Sequence, residues 1–498
     1  MTDTKGVNQI YVAVDCGKSD TKLVSYNVTG NKKIKAKFRT KISPGTFDDD
    51  MYGRGTFIAQ IDDGPVYKVG RDARTEPSLE STKKTDIHRV CTLAAIAYAC
   101  GSRNDNDVTI AIGLPLQICN IAEERIEYKD FILGEIGKEH TVKIKPVCNG
   151  PVLTVRFRFK AERVYPEGIG VLYEYPTQFS GPTGIIDIGN LNINLLYSDQ
   201  FLPLNESCST DELGGQILLT GLAQELTSNF ARCDEHMALS ILARKELNRC
   251  LPDKTGKHPE IVEESRKIIK NNLTEYVSKI KGKCDAKHWP IAYMDLVAMG
   301  GTSKLISEEL KEAFGNQIFI PEEPEFVNAK GFLRKICADD GIDVEAAQTE
   351  ESQFMDEQLI RQQTAVLLDA YRELTGSKEI PGIEDFLKLR ATAIREGGMS
   401  LRGDSDSAFI EKPPMRSSNT EPKAAQPPAQ TNVLRVEIPR VEQERKPVTG
   451  IQSPQPDKTR KQVIEPEPPK EEELFEETPS MGDAFAMLRS IQDPWNGQ

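Results

Sequence analysis

The stretch VAVDCGKSDTK at 12–22 constrains this chain most, because its Gly17-Lys18-Ser19 matches the end of a phosphate-binding P-loop. A P-loop has the pattern GxxxxGK[ST] between a strand and a helix. Its first glycine would fall at position 12, which is Val12. The residues that follow, KLVSYNV, are rich in β-branched and aromatic side chains and predict a strand. The stretch therefore predicts a strand–turn–strand hairpin and argues against a P-loop.

A glycine-containing hairpin can still hold phosphate. The amides of its turn point inward, and Gly17 has no side chain to block a ligand. Asp15 is acidic and would act on phosphate through Mg²⁺ and its waters, whereas Lys22 would supply positive charge. The alternative for this stretch alone is an ordinary β-hairpin with a capping aspartate.

Two further stretches have related patterns. GIIDIGNLNINLLY at 184–197 is again an apolar strand, an aspartate (Asp187), a glycine turn (Gly189) and a second strand. DLVAMGGTSKLISEEL at 295–310 is an apolar strand that ends in Gly300-Gly301 before a predicted helix. Adjacent glycines allow the backbone to approach a ligand closely, and a helix N-terminus favours anions. The two Asp-x-Gly hairpins predict two related half-domains that close on one nucleotide.

These three stretches, in this order, resemble the phosphate 1, phosphate 2 and adenosine motifs of the actin/Hsp70/sugar-kinase superfamily. Further stretches are similar to the ParM/StbA plasmid-segregation branch of bacterial actins. They are KKTDIHRVCTLAAIAYA at 83–99, IAIGLPL at 110–116, ERVYPEGIGVLYE at 162–174 and FVNAKGFL at 326–333. The resemblance covers about residues 9 to 337. It implies an α/β fold of two actin-like (ribonuclease H-like) domains around a nucleotide cleft.

The resemblance also divides the chain. It places actin-like domain I at 9–181, to which 316–337 returns, and domain II at 182–315. C-terminal to them, the composition predicts a helical extension at 338–397, a disordered linker at 398–474 and an amphipathic interaction motif at 475–498.

The resemblance implies roles for individual residues around ATP and Mg²⁺. Glu167 would orient or activate the attacking water, and Asp15 and Asp187 would position the magnesium ion through its waters. The nucleotide itself would be lined by Gly17, Lys18, Ser19, Lys22, Gly189, Asn190, Glu212, Leu213, Gly214, Gly215, Gly300, Gly301 and Ser303.

The second phosphate loop departs from the family pattern. The family usually has Gly-Gly followed by Thr and Asp, whereas this chain has Gly189-Asn190 and then asparagines at 192 and 194. Asn190 tolerates a left-handed backbone better than most residues but adds a side chain near phosphate. Asn194 replaces a carboxylate. The sequence therefore also allows slow hydrolysis, or nucleotide binding with little hydrolysis.

Charge and composition exclude several other classes. The formal net charge of −13 argues against direct DNA binding, which needs a basic face. The sequence has no apolar run of 18 residues and no visible secretory signal, so we expect a cytoplasmic protein without a membrane span. The ten cysteines form no CxxC pair and are expected to be reduced thiols in the core.

Beyond residue 338 the pattern predicts no strand. A helix is predicted from Glu350 to Thr375, and a second at about 382–396. In the last stretch, apolar residues at roughly helical spacing predict a short helix that docks into a partner; a weakly structured end and membrane-surface binding are the alternatives. Its candidate partner-binding residues are Phe485, Leu488, Ile491 and Trp495.

Together these features predict an ATP-hydrolysing actin-like protein that forms nucleotide-dependent filaments. Its expected partners are further copies of itself and a DNA-binding adaptor, for segregation or positioning of plasmid or mobile-element DNA. Three alternatives remain open at this point. They are a non-filamentous Hsp70-like or reactivase-type ATPase, a sugar kinase, and a scaffold whose nucleotide site is degenerate.

Overall fold

The computed structural model describes residues 7–351 with short gaps, together with 487–491 and 495–496. The gaps are at 50, 54, 78–82, 102–103, 147, 149, 231, 245, 254–255, 257 and 345–347. The predicted helix at about 382–396, the linker 398–474 and Phe485 lie outside the described residues. Within the described residues, no helix is long and apolar enough to cross a bilayer.

The larger sheet is built mainly from the N-terminal part of the chain. Its first nine strands are β1 (Asn8–Cys16), β2 (Asp20–Asn27), β3 (Lys32–Arg39), β4 (Ile42–Pro44), β5 (Thr56–Ile61), β6 (Val66–Gly70), β7 (Asn106–Leu114), β8 (Glu139–Lys145) and β9 (Leu153–Pro166). β1 pairs antiparallel with β2 and parallel with β7, and β7 pairs parallel with β9.

A smaller sheet follows. Its strands are β10 (Thr183–Ile188), β11 (Ile193–Asp199), β12 (Leu202–Pro203), β13 (Ser209–Asp211) and β14 (Asp295–Met299). β10 pairs antiparallel with β11 and parallel with β14. The core of each sheet therefore has the same arrangement, an antiparallel hairpin whose first strand also has a parallel neighbour.

Helices cover both sheets. They are α1 (Asp86–Cys100), α2 (Leu116–Cys119), α3 (Ala122–Leu133), α4 (Gly170–Glu174), α5 (Gly215–Asn229), α6 (Glu235–Leu242), α7 (Pro259–Ala286), α8 (Ser307–Phe314) and α9 (Val327–Asp339). Single 3₁₀ turns lie at Asn205–Ser207, Glu246–Asn248, Ile291–Tyr293 and Ser303–Ile306.

Burial along β1 shows how the larger sheet is covered. Every residue from Ile10 to Val14 is at most 1% exposed. Because successive side chains of a strand point to opposite faces, both faces of this strand are buried. Helices α1 and α9 pack on β1, and apolar side chains of both belong to the larger core. A second apolar core joins the smaller sheet to α5, α6, α7 and α8.

A tenth strand corrects the prediction for the region beyond residue 338. β15 (Gln348–Glu351) pairs parallel with β3 and lies at the edge of the larger sheet. The order of that sheet is β15-β3-β2-β1-β7-β9-β8-β5-β6-β4. The predictions that no strand follows residue 338 and that a helix begins at Glu350 are therefore wrong. These residues form a strand because they pair with β3, which is distant in sequence. The local spacing of apolar residues gives no information about such a pairing.

The fold is α/β, as predicted, and both Asp-x-Gly stretches are hairpins. The prediction that KLVSYNV is a strand is confirmed, since it lies in β2 and the neighbouring position Val28. Each of the ten cysteines is a free thiol, eight of them buried. The predicted core position is confirmed for these eight cysteines.

Candidate functional site

The first hairpin places Asp15 directly opposite Lys22 across β1 and β2. Residues in this position of an antiparallel pair have side chains on the same face. The Lys22 Nζ donates to the Asp15 Oδ2 at 3.3 Å, and Asp15 is 6% exposed. The cross-strand register therefore brings a buried acidic group and a half-buried basic group together where the hairpin turns.

The turn between β1 and β2 is tight. The Gly17 amide donates to the carbonyl oxygens of Asp15 and Asp20, both at 3.1 Å. A Cβ at position 17 would lie 2.9 Å from the Lys22 Nζ, so glycine leaves room for that ammonium group. Ser19 accepts a hydrogen bond from the Arg39 guanidinium at 2.6 Å, and Lys18 lies half-buried beside it on the turn.

Glu167 follows β9 and reaches the same place. Its amide donates to the Leu114 carbonyl at 2.8 Å, which fixes the backbone. The Lys83 Nζ donates to the Glu167 Oε1 and, at 2.8 Å, to the carbonyl of Cys16. The Asn194 amide approaches the Glu167 Oε2 at 3.5 Å. The Glu167 Oε1 is thus held by the buried Lys83, which also bonds the first hairpin. The Oε2 faces Asn194 of the second hairpin.

The second hairpin repeats the first. Asp187 on β10 lies directly opposite Asn194 on β11, seven positions along the chain, as Asp15 lies opposite Lys22. The Asn194 Oδ1 accepts from the Thr210 hydroxyl at 2.7 Å. Asn194 is therefore fixed between β13 and the Glu167 carboxylate.

The loop after β10 is held by the start of α5. The amides of Gly215 and Gln216 donate to the carbonyls of Gly189 and Asn190 at 2.9 and 2.7 Å. Asn190 is not among the described residues with positive φ. The loop therefore does not need a residue that tolerates a left-handed backbone at this position. The loop at Gly189–Asn190 is therefore fixed to α5, because the first amides of that helix donate to its carbonyls.

Glycines lie beside the two aspartates at the ends of the parallel neighbour strands. A Cβ at Gly113, near the end of β7, would lie 3.8 Å from the Asp15 Oδ1 and 3.5 Å from the Glu167 Cγ. A Cβ at Gly300, just after β14, would lie 2.7 Å from the Asp187 Oδ1. Gly300 has φ of +86°, which favours glycine. The similarity between the two sheets therefore extends to a third strand. At or near the end of β7 and of β14, a glycine lies beside an aspartate of the neighbouring hairpin.

Asn328 at the start of α9 joins these parts. Its Nδ2 donates to the Asp187 Oδ2 at 3.3 Å, and its Oδ1 accepts from the Gly168 amide at 3.0 Å. Gly168 adopts φ of +93°, next to Glu167. Asn328 thus connects the second aspartate to the backbone that carries Glu167.

The electrostatics identify a crowded acidic centre. The pKa of the Asp187 carboxyl is raised from 3.8 to about 7, first by burial and then by the charges of Asp15 and Glu167. Burial lowers the pKa of Lys22, but neighbouring carboxylates, Asp15 foremost, outweigh it and the pKa is raised. Lys83 behaves in the same way beside Glu167. Three carboxylates and two lysines therefore share one buried environment.

The chemistry of this set fits a hydrated magnesium ion. Carboxylate oxygens are the ligands that Mg²⁺ prefers, and the ion usually keeps several of its waters. A cation at this position would relieve the repulsion that raises the pKa of Asp187. In the described part of the chain, no group of three or more His, Cys, Asp or Glu is arranged to hold a metal directly. Because Mg²⁺ usually keeps its waters, these carboxylates could hold the ion through them.

The residues predicted around the ribose and base lie on the smaller sheet and its connections. Gly214 and Gly215 begin α5, and Glu212 is exposed just before it. Gly301 is exposed after β14. The Ser303 hydroxyl is buried and donates to the Gly300 carbonyl at 2.8 Å, so it stabilises the turn.

Sequence reasoning missed three residues of this centre, Lys83, Gly113 and Asn328. Gly113 and Asn328 lie in stretches that carry the family resemblance, IAIGLPL and FVNAKGFL, and Lys83 opens a third. A signal for Gly113 was present in the sequence, because IAIGLPL is an apolar strand with a glycine near its end, like the strand that leads to Gly300. Nothing local marks Lys83 or Asn328, because their partners are 84 and 141 residues away.

A buried histidine beside the first turn gives a test of the local charge. The pKa of His88 is lowered from 6.5 to about 3, by burial and then by Lys83 and Lys18. A proton then binds the unfolded chain but not the folded one below pH 6.5, so stability falls with falling pH. We expect wild type to lose about 1.4 kcal/mol more than His88→Gln between pH 7.5 and 5.5.

Urea unfolding of both proteins at the two pH values measures this difference. The four remaining histidines are common to both chains and cancel in the comparison. Equal losses of stability in the two proteins would show that His88 is not held neutral.

Comparison with known proteins identifies the architecture. Residues 13–170, which include Asp15 and Glu167, match the family model for actin like proteins N terminal domain. The fold is actin-like. The Alp12 filament structure aligns with 66% of this chain and 98% of its own, at 21% identity and a TM-score of 0.50. Ta0583, an archaeal actin homolog, aligns with 65% of this chain and 98% of its own, at 18% identity and a TM-score of 0.51.

The ParM protein of psk41 gives a TM-score of 0.49 and 12% identity, over 66% of this chain and 96% of its own. No curated protein sequence matches the chain. The family model, the Alp12 structure and Ta0583 together establish the actin-like fold.

Proposed function

We propose that this chain binds ATP between its two sheets, hydrolyses it, and assembles into nucleotide-dependent filaments. The observation that carries the proposal is the meeting of Asp15, Glu167 and Asp187 where two related hairpins turn. Phosphoryl transfer depends on positioning and charge stabilisation more than on covalent chemistry. A duplicated hairpin supplies such positioning from two sides.

Each residue of the centre has a role in this proposal. Glu167 accepts a hydrogen bond from the attacking water and orients it. Lys83 holds the Glu167 carboxylate in place. Asp15 and Asp187 would hold the waters of a magnesium ion, which when bound supplies positive charge to the phosphates. Lys22 and the turn at Gly17–Ser19 would face the β- and γ-phosphates, and the glycines at 300–301 and 214–215 the nucleoside.

The type of fold supports the proposal of filament formation. An actin-like chain has two halves around its nucleotide, so the γ-phosphate can bias the angle between them. A head-to-tail contact that does not close on itself generates a helical filament. The Alp12 protein, which shares this fold, was solved as a filament. We extend this to the present chain as part of the proposal.

The proposed cargo is plasmid or mobile-element DNA, as in the ParM/StbA branch that the motifs resemble. The net charge of −13 favours an adaptor over direct DNA contact. The proposed location is the cytoplasm. The proposed domain division is 9–181 with 316–337, then 182–315, with the remainder of the chain as an extension, linker and interaction motif.

Phosphate release from Mg·ATP and light scattering, measured on the same samples over a range of protein concentrations, test the proposal. We expect both to rise together above a threshold concentration. Linear release without scattering would indicate a non-filamentous ATPase of the Hsp70 type. Binding of ATP without release would indicate that the asparagines of the second loop have made the site a binding switch or a scaffold.

A further inference from the structure

The C-terminal segment 487–496 is packed against the larger core. Leu488 is 0% exposed and Trp495 is 6% exposed, and both belong to the apolar cluster of the larger sheet. Met487 and Ile491 pack against the same cluster, whereas Arg489 and Ser490 are exposed. Of the side chains predicted to bind a partner, Leu488 and Trp495 are therefore buried on the chain itself, and Ile491 is half-buried.

The segment meets β9 at an edge that the described strands leave unpaired. β8 pairs with β9 only as far as Arg158, and no other described strand takes over that side of β9. The Asn496 side chain fills this edge at one point. Its Oδ1 accepts from the Val164 amide at 3.0 Å, and its Nδ2 donates to the Val164 carbonyl at 3.1 Å. A carboxamide thus pairs with the strand as a neighbouring backbone would.

A second polar contact orients the segment. The Trp495 indole donates to the Asn120 Oδ1 at 3.3 Å, and Asn120 ends α2. The Asn120 amide in turn donates to Asn205, which follows the smaller sheet's β12, at 2.8 Å. The contact therefore has two apolar anchors, Leu488 and Trp495, and three side-chain hydrogen bonds. It uses none of the side chains of the acidic centre.

The number of residues between position 351 and the segment limits how far the segment can reach. Residues 352–486 can span at most about 450 Å when fully extended. A folded body of the size of residues 7–351 has a radius of gyration of only about 20 Å. By chain length alone, the segment could reach the equivalent surface of a neighbouring copy as well as its own.

We propose that the edge of β9 at Val164, together with Asn120, is a peptide-docking site for the C-terminal segment of a second copy of this chain. The contact within one chain and the contact between chains use the same side chains, so they exclude each other. When copies are held close together, the effective concentration of neighbouring segments competes with the segment of the same chain. The tail then connects one copy to another.

Hydrogen–deuterium exchange on the full chain tests this without nucleotide, so the result does not depend on the proposed ATPase activity. Leu488→Glu places a charge in the buried anchor and releases the segment. We expect exchange at 162–165 to accelerate at least tenfold. A synthetic peptide of residues 479–498 added in excess should restore the wild-type rate, and a scrambled peptide should not. Ser490→Glu adds the same charge on the exposed face and should behave as wild type.

Two results would overturn the proposal. Unchanged exchange in Leu488→Glu would show that the segment does not protect β9. Acceleration that saturating peptide cannot reverse would show that the site accepts the segment only within one chain. Faster exchange in β14 of the smaller sheet would show that Leu488→Glu disturbs the whole fold. In that case Asn496→Ala is used in its place, because this change removes only the carboxamide that bonds Val164. The same two results would then overturn the proposal.

Discussion

Glu167→Gln is expected to lower kcat for ATP hydrolysis by about 10²- to 10⁴-fold, the usual effect of removing a general base. The amide keeps the size of the side chain but is not basic, so it cannot orient and activate water as a carboxylate does. It can still accept the hydrogen bond from Lys83. We therefore expect the variant to bind ATP and to assemble while phosphate release is lost.

Phosphate release under single-turnover conditions, with light scattering in parallel, measures this effect. Glu264→Gln is the matched control, because Glu264 is exposed on α7 and the substitution makes the same chemical change. Hydrolysis within threefold of wild type in Glu167→Gln would remove Glu167 from the reaction.

Lys83→Met is expected to lower the free energy of unfolding by about 3–5 kcal/mol, because it leaves a buried carboxylate without its partner. Lys83 is 4% exposed and bonds both Glu167 and the Cys16 carbonyl. Methionine keeps the apolar stem, so the loss comes from the charge and its hydrogen bonds. Urea unfolding at pH 7.5 measures the change.

The neighbouring residue gives the matched control. Lys84 pairs with Glu127 at the surface, where the two side chains are 44% and 65% exposed. Lys84→Met should cost less than about 1 kcal/mol, as exposed ion pairs contribute little. The double variant Lys83→Met/Glu167→Gln should recover part of the loss, since it removes the unpaired carboxylate. A loss in the double variant equal to the sum of the losses in Lys83→Met and Glu167→Gln would show that Lys83 and Glu167 are not coupled.

The sequence by itself predicted the two hairpins and the strand that ends at Gly300. These elements depend on local signals, namely β-branched residues that alternate around short glycine turns. It also placed Asp15 and Asp187 at equivalent positions, because each follows from the strand-Asp-x-Gly pattern. The direct pairing of Asp187 with Asn194 then comes from antiparallel register, which a short turn fixes.

Only the tertiary structure decided how these elements meet. Lys83 reaches Glu167 across 84 positions, and Asn328 reaches Asp187 across 141. β15 is a strand because β3 offers it an edge, although its local spacing predicts a helix. The C-terminal segment was predicted to bind a partner, whereas in the structure Leu488 and Trp495 pack on the core of the same chain. Which surface it contacts depends on an unpaired strand edge at Val164, 332 residues away, and local periodicity carries no information about so distant a contact.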